Sequence, residues 1–211
     1  MMTEDEARRW VAIAFDVSRE TMARLDDFTA LLRAESQRQN LVSKSSLDAL
    51  WRRHIADSAQ LISFAPSSEA SWVDLGSGAG FPGLIVALLH RGPVTLIEER
   101  RLRVDFLRRA AQVLRVEVEI IPKGVERVAA RPFDVISARA FAPLGKLLEL
   151  GTVLSTRKTR WVLPKGRNAQ TELEALDPSW QGRFELHASM TDADAQIIVA
   201  DGVHKARGTR Q

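Results

Sequence analysis

No cysteine and no tyrosine occur among the 211 residues. Without thiols there is no disulfide, no thiolate nucleophile and no cysteine-ligated zinc. Histidine is scarce as well. His54, His90, His187 and His204 are scattered along the chain and suggest no metal site. No apolar run approaches the roughly 20 residues that span a bilayer. The first ten residues, "MMTEDEARRW", are acidic and then basic with no apolar stretch, so they do not read as a secretory signal. These absences point to the cytoplasm and to no membrane partner.

Apolar residues make up 45% of the chain, enough to bury the core of one ordinary domain plus an extension. The net charge is only +3, but the basic residues are clustered. Arg100, Arg101, Arg103, Arg108, Arg109 and Arg115 crowd one stretch. Arg157, Lys158, Arg160, Lys165 and Arg167 crowd another, and His204, Lys205, Arg207 and Arg210 form a basic tail. Any one cluster reads most simply as a solvated face. Three in one chain point to a polyanion partner. No long exposed apolar stripe is left over, which suggests a monomer.

Residues 1 to about 65 carry helical periodicity. "TEDE" places Thr3 and Glu6 as a capping box. Trp10, Ile13, Ala14 and Val17 then make one apolar face, and Met22, Leu25, Phe28, Leu31 and Leu32 a second. "SSLD", with Ser45 and Asp48 as a capping pair, is expected to open a third helix with Leu47, Leu50, Trp51, Ile55, Ala59 and Ile62 inward. "APSSEAS" (65–71) breaks the pattern. After it, short apolar runs ("WVDLG", "VTLIE", "VEVEII", "FDVISA", "RWVLP") alternate with helical stretches, which predicts a parallel sheet covered on both faces. One such stretch is "LRVDFLRRAAQVL", where Leu102, Phe106, Leu107, Ala110, Val113 and Leu114 share a face. "RFELH" and "QIIVA" follow closely on one another, as a reversed edge strand requires.

The glycine-rich stretch "SWVDLGSGAGFPGL" (71–84) allows two frames. Gly78, Gly80 and Gly83 spell a literal dinucleotide fingerprint. In a doubly wound sheet, however, the first glycine follows the first strand directly, and that strand stops at Leu75. The working frame therefore starts at Gly76, with Gly78 and Gly80 letting the backbone approach a ligand and Phe81 and Pro82 starting the helix. Asp74, two residues before the turn, repels a pyrophosphate and suits a cation such as the sulfonium and ammonium of S-adenosylmethionine. Glu98 ends the second strand, where an acid accepts the ribose hydroxyls of an adenosine; that feature fits NAD equally.

Five segments in order resemble one family. "QNLVS" (39–43), "RHIADS" (53–58), "DLGSGAGFPG" (74–83), "SARAFAPL" (137–144) and "LPKG" (163–166) are similar to those of RsmG, also called GidB. The resemblance implies a class I S-adenosylmethionine-dependent methyltransferase: a Rossmann-like, mostly parallel sheet with one reversed strand and helices on both faces. It implies a helical extension over residues 1–66 before a methyltransferase domain over 67–211. The implied reaction is methyl transfer to N7 of a guanine in the decoding-region loop of 16S rRNA, with that RNA or the small ribosomal subunit as partner. By position, Gly76, Phe81, Val125 and Glu126 are then cofactor contacts, and Arg139 is the arginine at the active-site end. Ala79 stands where many members have proline, and Val42-Ser43 replaces the usual threonine.

The chemistry suits these residues. Guanine N7 presents a lone pair and carries no proton, so alignment matters and no base is needed. The chain has no cysteine for attack on a pyrimidine, and no Asn/Asp-Pro-Pro-aromatic motif after the fourth strand. Arg139 is expected to touch the cofactor or guanine O6. His54, Asp57 and Ser58 share one helical face and read as a polar cluster docking the extension rather than as a hydrolase triad. Arg52, Arg53, Lys165 and Arg167 are candidate RNA contacts. Two alternatives remain: an NAD(P)-dependent oxidoreductase using "GAGFPG", disfavoured by the missing tyrosine, and an RNA-binding module without catalysis.

Overall fold

Thr3 opens the helical part. Its hydroxyl accepts the N–H of Glu6 at 3.2 Å, and the Glu6 carboxylate accepts the N–H of Thr3 at 2.8 Å, the reciprocal cap expected from "TEDE". In the computed structural model, which describes residues 2–206, this cap starts α1 (Glu4–Ala14), followed by α2 (Arg19–Glu35). The buried residues of α1 are Ala7 and Val11; Ile13, expected inward, is 81% exposed. The phase is set from outside the helix. The Glu4 carboxylate accepts the N–H groups of Trp51 and Arg52 at 3.0 and 2.9 Å, which turns the Ala7–Val11 side toward that segment.

The expected third helix is not continuous. It divides into α3 (Lys44–Leu47), a π-helical stretch (Trp51–Ala56), the single turn α4 (Asp57–Ala59) and a 3₁₀ stretch (Gln60–Phe64). The Ser45–Asp48 cap does not form. Ser43 occupies the cap position instead, with its hydroxyl 2.9 Å from that of Ser46. The apolar face survives, with Leu50, Trp51, Ile55 and Ala59 buried. π-helical turns cluster at functional sites, and this one carries His54.

The sheet comprises β1 (Trp72–Leu75), β2 (Val94–Ile97), β3 (Glu119–Ile121), β4 (Val135–Ser137), β5 (Arg160–Gly166), β6 (Trp180–Ala188) and β7 (Gln196–Lys205). Its spatial order is β3-β2-β1-β4-β5-β7-β6. The pairs from β3 to β5 are parallel, and β7 runs antiparallel to both neighbours. One strand is reversed, as expected, but it lies one place in from the edge, because the loop after β6 returns the chain between β6 and β5. "VEVEII" contributes only its last three residues, since its partner β2 is short.

Crossover helices α5 (Gly83–Leu89) and α6 (Arg101–Leu114) cover one face; α7 (Leu144–Gly151) and α8 (Ala169–Glu174) cover the other. Alternation along β1 sends Trp72 to the first core and Val73 and Leu75 to the second. Leu102, expected inward, is 66% exposed. It sits in the first turn of α6, beyond the sheet, and Val104, Phe106, Leu107, Ala110 and Leu114 make the buried side.

The helical extension shares the first core. The Phe28 ring lies 5.5 Å from that of Phe81 and 6.5 Å from that of Phe106. Much of the arginine cluster on α6 serves this contact. Arg109 pairs with Glu35 at 2.7 Å and Arg115 with Glu20 at 3.0 Å, while Arg108 pairs with Asp105 within the helix. With Arg109 and Gln39 donating to it, the Glu35 carboxyl is held below the usual carboxylate range. Only the N-terminal end of the cluster, Arg100 and Arg103, faces the cleft.

Candidate functional site

The first strand ends at Leu75, and the chain turns at Gly76 with φ +68°. Gly78 and Gly80 also have positive φ, so the frame beginning at Gly76 is the structural one. A Cβ on Gly76 would lie 2.2 Å from Cδ2 of Phe141. Gly83 has a different reason to be glycine. It is the first residue of α5, not Phe81 or Pro82, and a Cβ there would lie 2.2 Å from Leu96 and 2.9 Å from the Asp74 carboxylate. The last glycine of the literal fingerprint therefore brings helix and sheet together.

Asp74 does not face the cleft. It is fully buried, accepting the Ser137 hydroxyl at 2.9 Å and the Gly83 N–H at 3.2 Å. Trp72 Nε1–H in turn donates to Ser137 at 2.8 Å. Burial pushes the Asp74 pKa up to about 6, opposed by the hydrogen bonds from Ser137 and Gly83. The carboxylate that the sequence offered as a seat for a cation is thus a tie between β1, β4 and the start of α5. Each carboxylate oxygen is held by one protein donor, and the side chain lines neither cavity of the cleft.

Over Gly76 runs a cleft made of two cavities, of about 400 and 470 Å³, which share Gly76, Arg103 and Ala140. The smaller is lined by Ile97, Glu98, Val125, Glu126 and Phe141. Glu98 is 4% exposed, and its carboxylate accepts the N–H groups of Gly78 at 3.0 Å and Arg100 at 2.9 Å. It binds the glycine loop to the end of β2 while still facing the cavity. Val125 is a buried apolar wall and Glu126 an exposed rim.

The larger cavity lies between the glycine loop, the helical extension and the loop after β6. Gly78, Phe81 and Arg139 line it, as do Leu41, Val42, His54 and Asp57 from the extension. Gly80 does not reach either cavity; a Cβ on it would lie 2.4 Å from Leu84, so it serves packing under the loop. Arg139 Nη2 donates to His54 Nδ1 at 2.8 Å, and Nη1 to the Arg53 carbonyl at 3.1 Å. Burial lowers the Arg139 pKa, with Asp57 and Asp74 opposing, and a guanidinium stays charged under any working condition. Asp57 also accepts the Thr191 hydroxyl at 2.8 Å and the Gln60 amide at 2.9 Å. Of the three residues on the polar face of "RHIADS", His54 and Asp57 dock the extension, whereas the Ser58 hydroxyl donates to the His54 carbonyl of its own segment at 2.6 Å. Phe141 and Arg103, both in the cleft, were not singled out as ligand contacts by sequence. For Phe141 the signal available was its place inside "SARAFAPL".

The candidate RNA contacts divide. Arg53 is exposed at the larger cavity; Arg52 is half-buried and does not line it. Lys165 points inward: its side chain is 8% exposed and its ammonium donates to the Ala142 carbonyl and the Glu172 carboxylate, both at 2.9 Å. It clamps the β4 loop to α8 and is not free for a phosphate. Arg167 is exposed, 3.9 Å from Asp194. The second basic cluster is broken by β5, whose seven residues put Arg157 and Lys158 at one end and Lys165 at the other. In the basic tail, His204 and Lys205 belong to β7, while Arg207 and Arg210 lie outside the described residues.

Comparison with known proteins gives a consistent result. A family model described as "rRNA small subunit methyltransferase G" matches residues 21–198. The Ribosomal RNA small subunit methyltransferase G of Zymomonas mobilis is 47% identical over 211 residues, covering 96% of each chain. That of Rhizorhabdus wittichii is 49% identical over 214 residues, covering 100% of this chain and 97% of its own. Among solved structures, a predicted O-methyltransferase from Agrobacterium tumefaciens shares the fold with a TM-score of 0.57, at 19% identity, over 72% of this chain and 83% of that one.

Proposed function

The chain belongs to the GidB family of small-subunit rRNA methyltransferases, and on that premise we propose that it methylates N7 of a guanine in the decoding-region loop of 16S rRNA, with S-adenosylmethionine as donor. What supports the donor site is the continuous cleft over Gly76, which joins a cavity walled by Glu98 and Val125 to one walled by Arg139. The first suits an adenosine and the second a methionine end with the acceptor base beside it.

Bound there, S-adenosylmethionine supplies a methyl group already activated by a positive sulfur. The protein has to hold and align. Glu98 spends lone pairs on Gly78 and Arg100 and keeps others for ribose hydroxyls. Val125 gives the adenine a dry wall, and Gly76 admits the ligand close to the backbone. Asp74 acts one step removed, fixing the glycine loop through Gly83 and β4 through Ser137. Arg139 presents a fixed cation at the reacting end. A guanidinium can donate to guanine O6 while N7 remains open to the methyl group. No proton has to leave N7 for the attack, so alignment is the main contribution.

The test is transfer of a labelled methyl group to small-subunit particles, followed by mapping of the modified base. Label at guanine N7 is expected. Label on an exocyclic amine or a pyrimidine carbon would overturn the N7 assignment. Binding of NAD rather than S-adenosylmethionine would restore the oxidoreductase alternative.

A further inference from the structure

Among the places where the helical extension reaches the cleft, one brings several side chains together around His54. Within the π-helical stretch, His54 receives Arg139 Nη2 at 2.8 Å and the Arg53 carbonyl receives Nη1 at 3.1 Å. Just beyond it, an Asp57 carboxylate oxygen lies 3.5 Å from Nη1. The His54 ring stacks on Phe81 of the glycine loop, with centroids 4.9 Å apart and planes at 21°. The Arg139 guanidinium lies over the same Phe81 ring at 5.2 Å. Three segments distant in sequence thus meet on one imidazole.

The protonation state follows from the donors. A guanidinium has no lone pair, so His54 Nδ1 must be the acceptor, and the ring is neutral with its hydrogen on Nε2. Burial beside Arg139 and Arg53 lowers the His54 pKa to about 3, consistent with a neutral ring. The arrangement has a cost. Among the described residues Nε2 is buried without a hydrogen-bond partner, and an orphaned buried donor is unfavourable. An apolar side chain would stack on Phe81 and dock the extension without that cost. The contact to Arg139 is what an apolar side chain could not supply.

We propose that His54 is a positioning residue for methyl transfer, a neutral imidazole contributed by the extension that fixes the Arg139 guanidinium at the cleft. The extension is then part of the reaction centre and not a docking module alone. Two of the five guanidinium N–H donors are committed to His54 and Arg53, and Asp57 lies 3.5 Å from Nη1, which together set the plane of the group at the cavity. An unheld arginine would sample several rotamers, and a reaction governed by alignment is sensitive to such freedom. This inference rests on the proposed place of Arg139 at the reacting centre.

A kinetic double-mutant cycle tests it. His54→Phe keeps a ring on Phe81 and removes the acceptor. His54→Asn loses the ring but puts an amide oxygen near the position of Nδ1. In the otherwise native protein, His54→Phe should lower kcat for methylation of small-subunit particles by about ten- to a hundredfold at saturating substrates. His54→Asn should recover most of that loss. In an Arg139→Ala background, His54→Phe should change kcat by no more than about twofold. Equal losses in both backgrounds would mean that His54 serves packing only, and full activity of His54→Phe would equally overturn the proposal. So would an Asn variant that folds yet is no better than Phe. Thermal unfolding checks each variant, and His54→Leu replaces His54→Phe in the cycle should the latter not fold. If the native protein leaves particles unlabelled, the functional reading fails. The coupling is then judged by the same cycle on S-adenosylmethionine affinity, where independent effects of His54 and Arg139 would overturn it.

Discussion

Ser137 donates its hydroxyl hydrogen to Asp74 at 2.9 Å, and both side chains are fully buried. The bond joins neighbouring strands β1 and β4 directly beneath the glycine loop, and Asp74 extends it to Gly83 at the start of α5. The acid beside the cleft is therefore part of its foundation.

That placement has a consequence for pH dependence. Asp74 titrates near 6 in the folded protein, against about 3.8 ordinarily. The folded state holds this proton more tightly than the unfolded chain, so the stability the group contributes is full below about pH 3.8 and is lost as pH rises through 6. The unfolding free energy of the native protein minus that of Asp74→Asn should fall by roughly 2–3 kcal/mol between pH 4 and pH 7. Urea titrations of both proteins at the two pH values measure it. Parallel pH profiles would show that the carboxyl titrates normally.

Gly76→Ala is expected to strike the cleft. The added methyl group would lie 2.2 Å from Phe141, on a backbone with φ +68°. Left-handed backbone alone costs a non-glycine residue about 1–2 kcal/mol. S-adenosylmethionine affinity, read by calorimetry, should drop at least about tenfold, since both cavities meet at this residue. Unchanged affinity would mean that Phe141 moves aside freely.

Glu98→Ala should weaken cofactor binding and loosen the glycine loop together. It removes the acceptor of the Gly78 and Arg100 N–H groups, leaving two donors without their partner. A loss of about 1–3 kcal/mol in stability is the expected scale. Hydrogen exchange at Gly78 and Arg100 should rise alongside the loss of affinity. Exchange rates equal to those of the native protein would argue that Glu98 does not organise the loop.

Arg53 and Lys165, two of the four candidate RNA contacts, should separate in salt. Arg53 is exposed at the cleft, and Arg53→Ala should lower the salt slope of RNA binding by about 1. Lys165 is paired inside, so Lys165→Met should leave the slope unchanged and alter stability. Removing one member of a mostly buried pair costs about 3 kcal/mol when the other charge stays unpaired. A reduced slope for Lys165→Met would return that residue to the RNA surface.

Local rules were legible without coordinates. The Thr3–Glu6 cap, the strand stop at Leu75 and the frame at Gly76 each depend on residues within a few positions of one another, where sequence spacing is geometry. The alternation of strands and helices gave the sheet for the same reason, and five ordered motifs gave the family. Apolar phase was less secure: Ile13 and Leu102 fit their helices' periodicity, yet both are exposed because the facing partner decides which side is inward.

The fate of charge belonged to the tertiary structure. Asp74 looks like a ligand seat in sequence and is enclosed by Gly83 and Ser137. Lys165 looks free and is held by Glu172 and the Ala142 carbonyl. Arg139 meets a histidine 85 residues earlier in the chain. Apart from the broken third helix, the sequence determined which elements form and which family they make. Only folding decided which ionised groups meet, because a charge is satisfied by whatever lies within a few ångströms, and chain distance says nothing about that once helices and strands pack together.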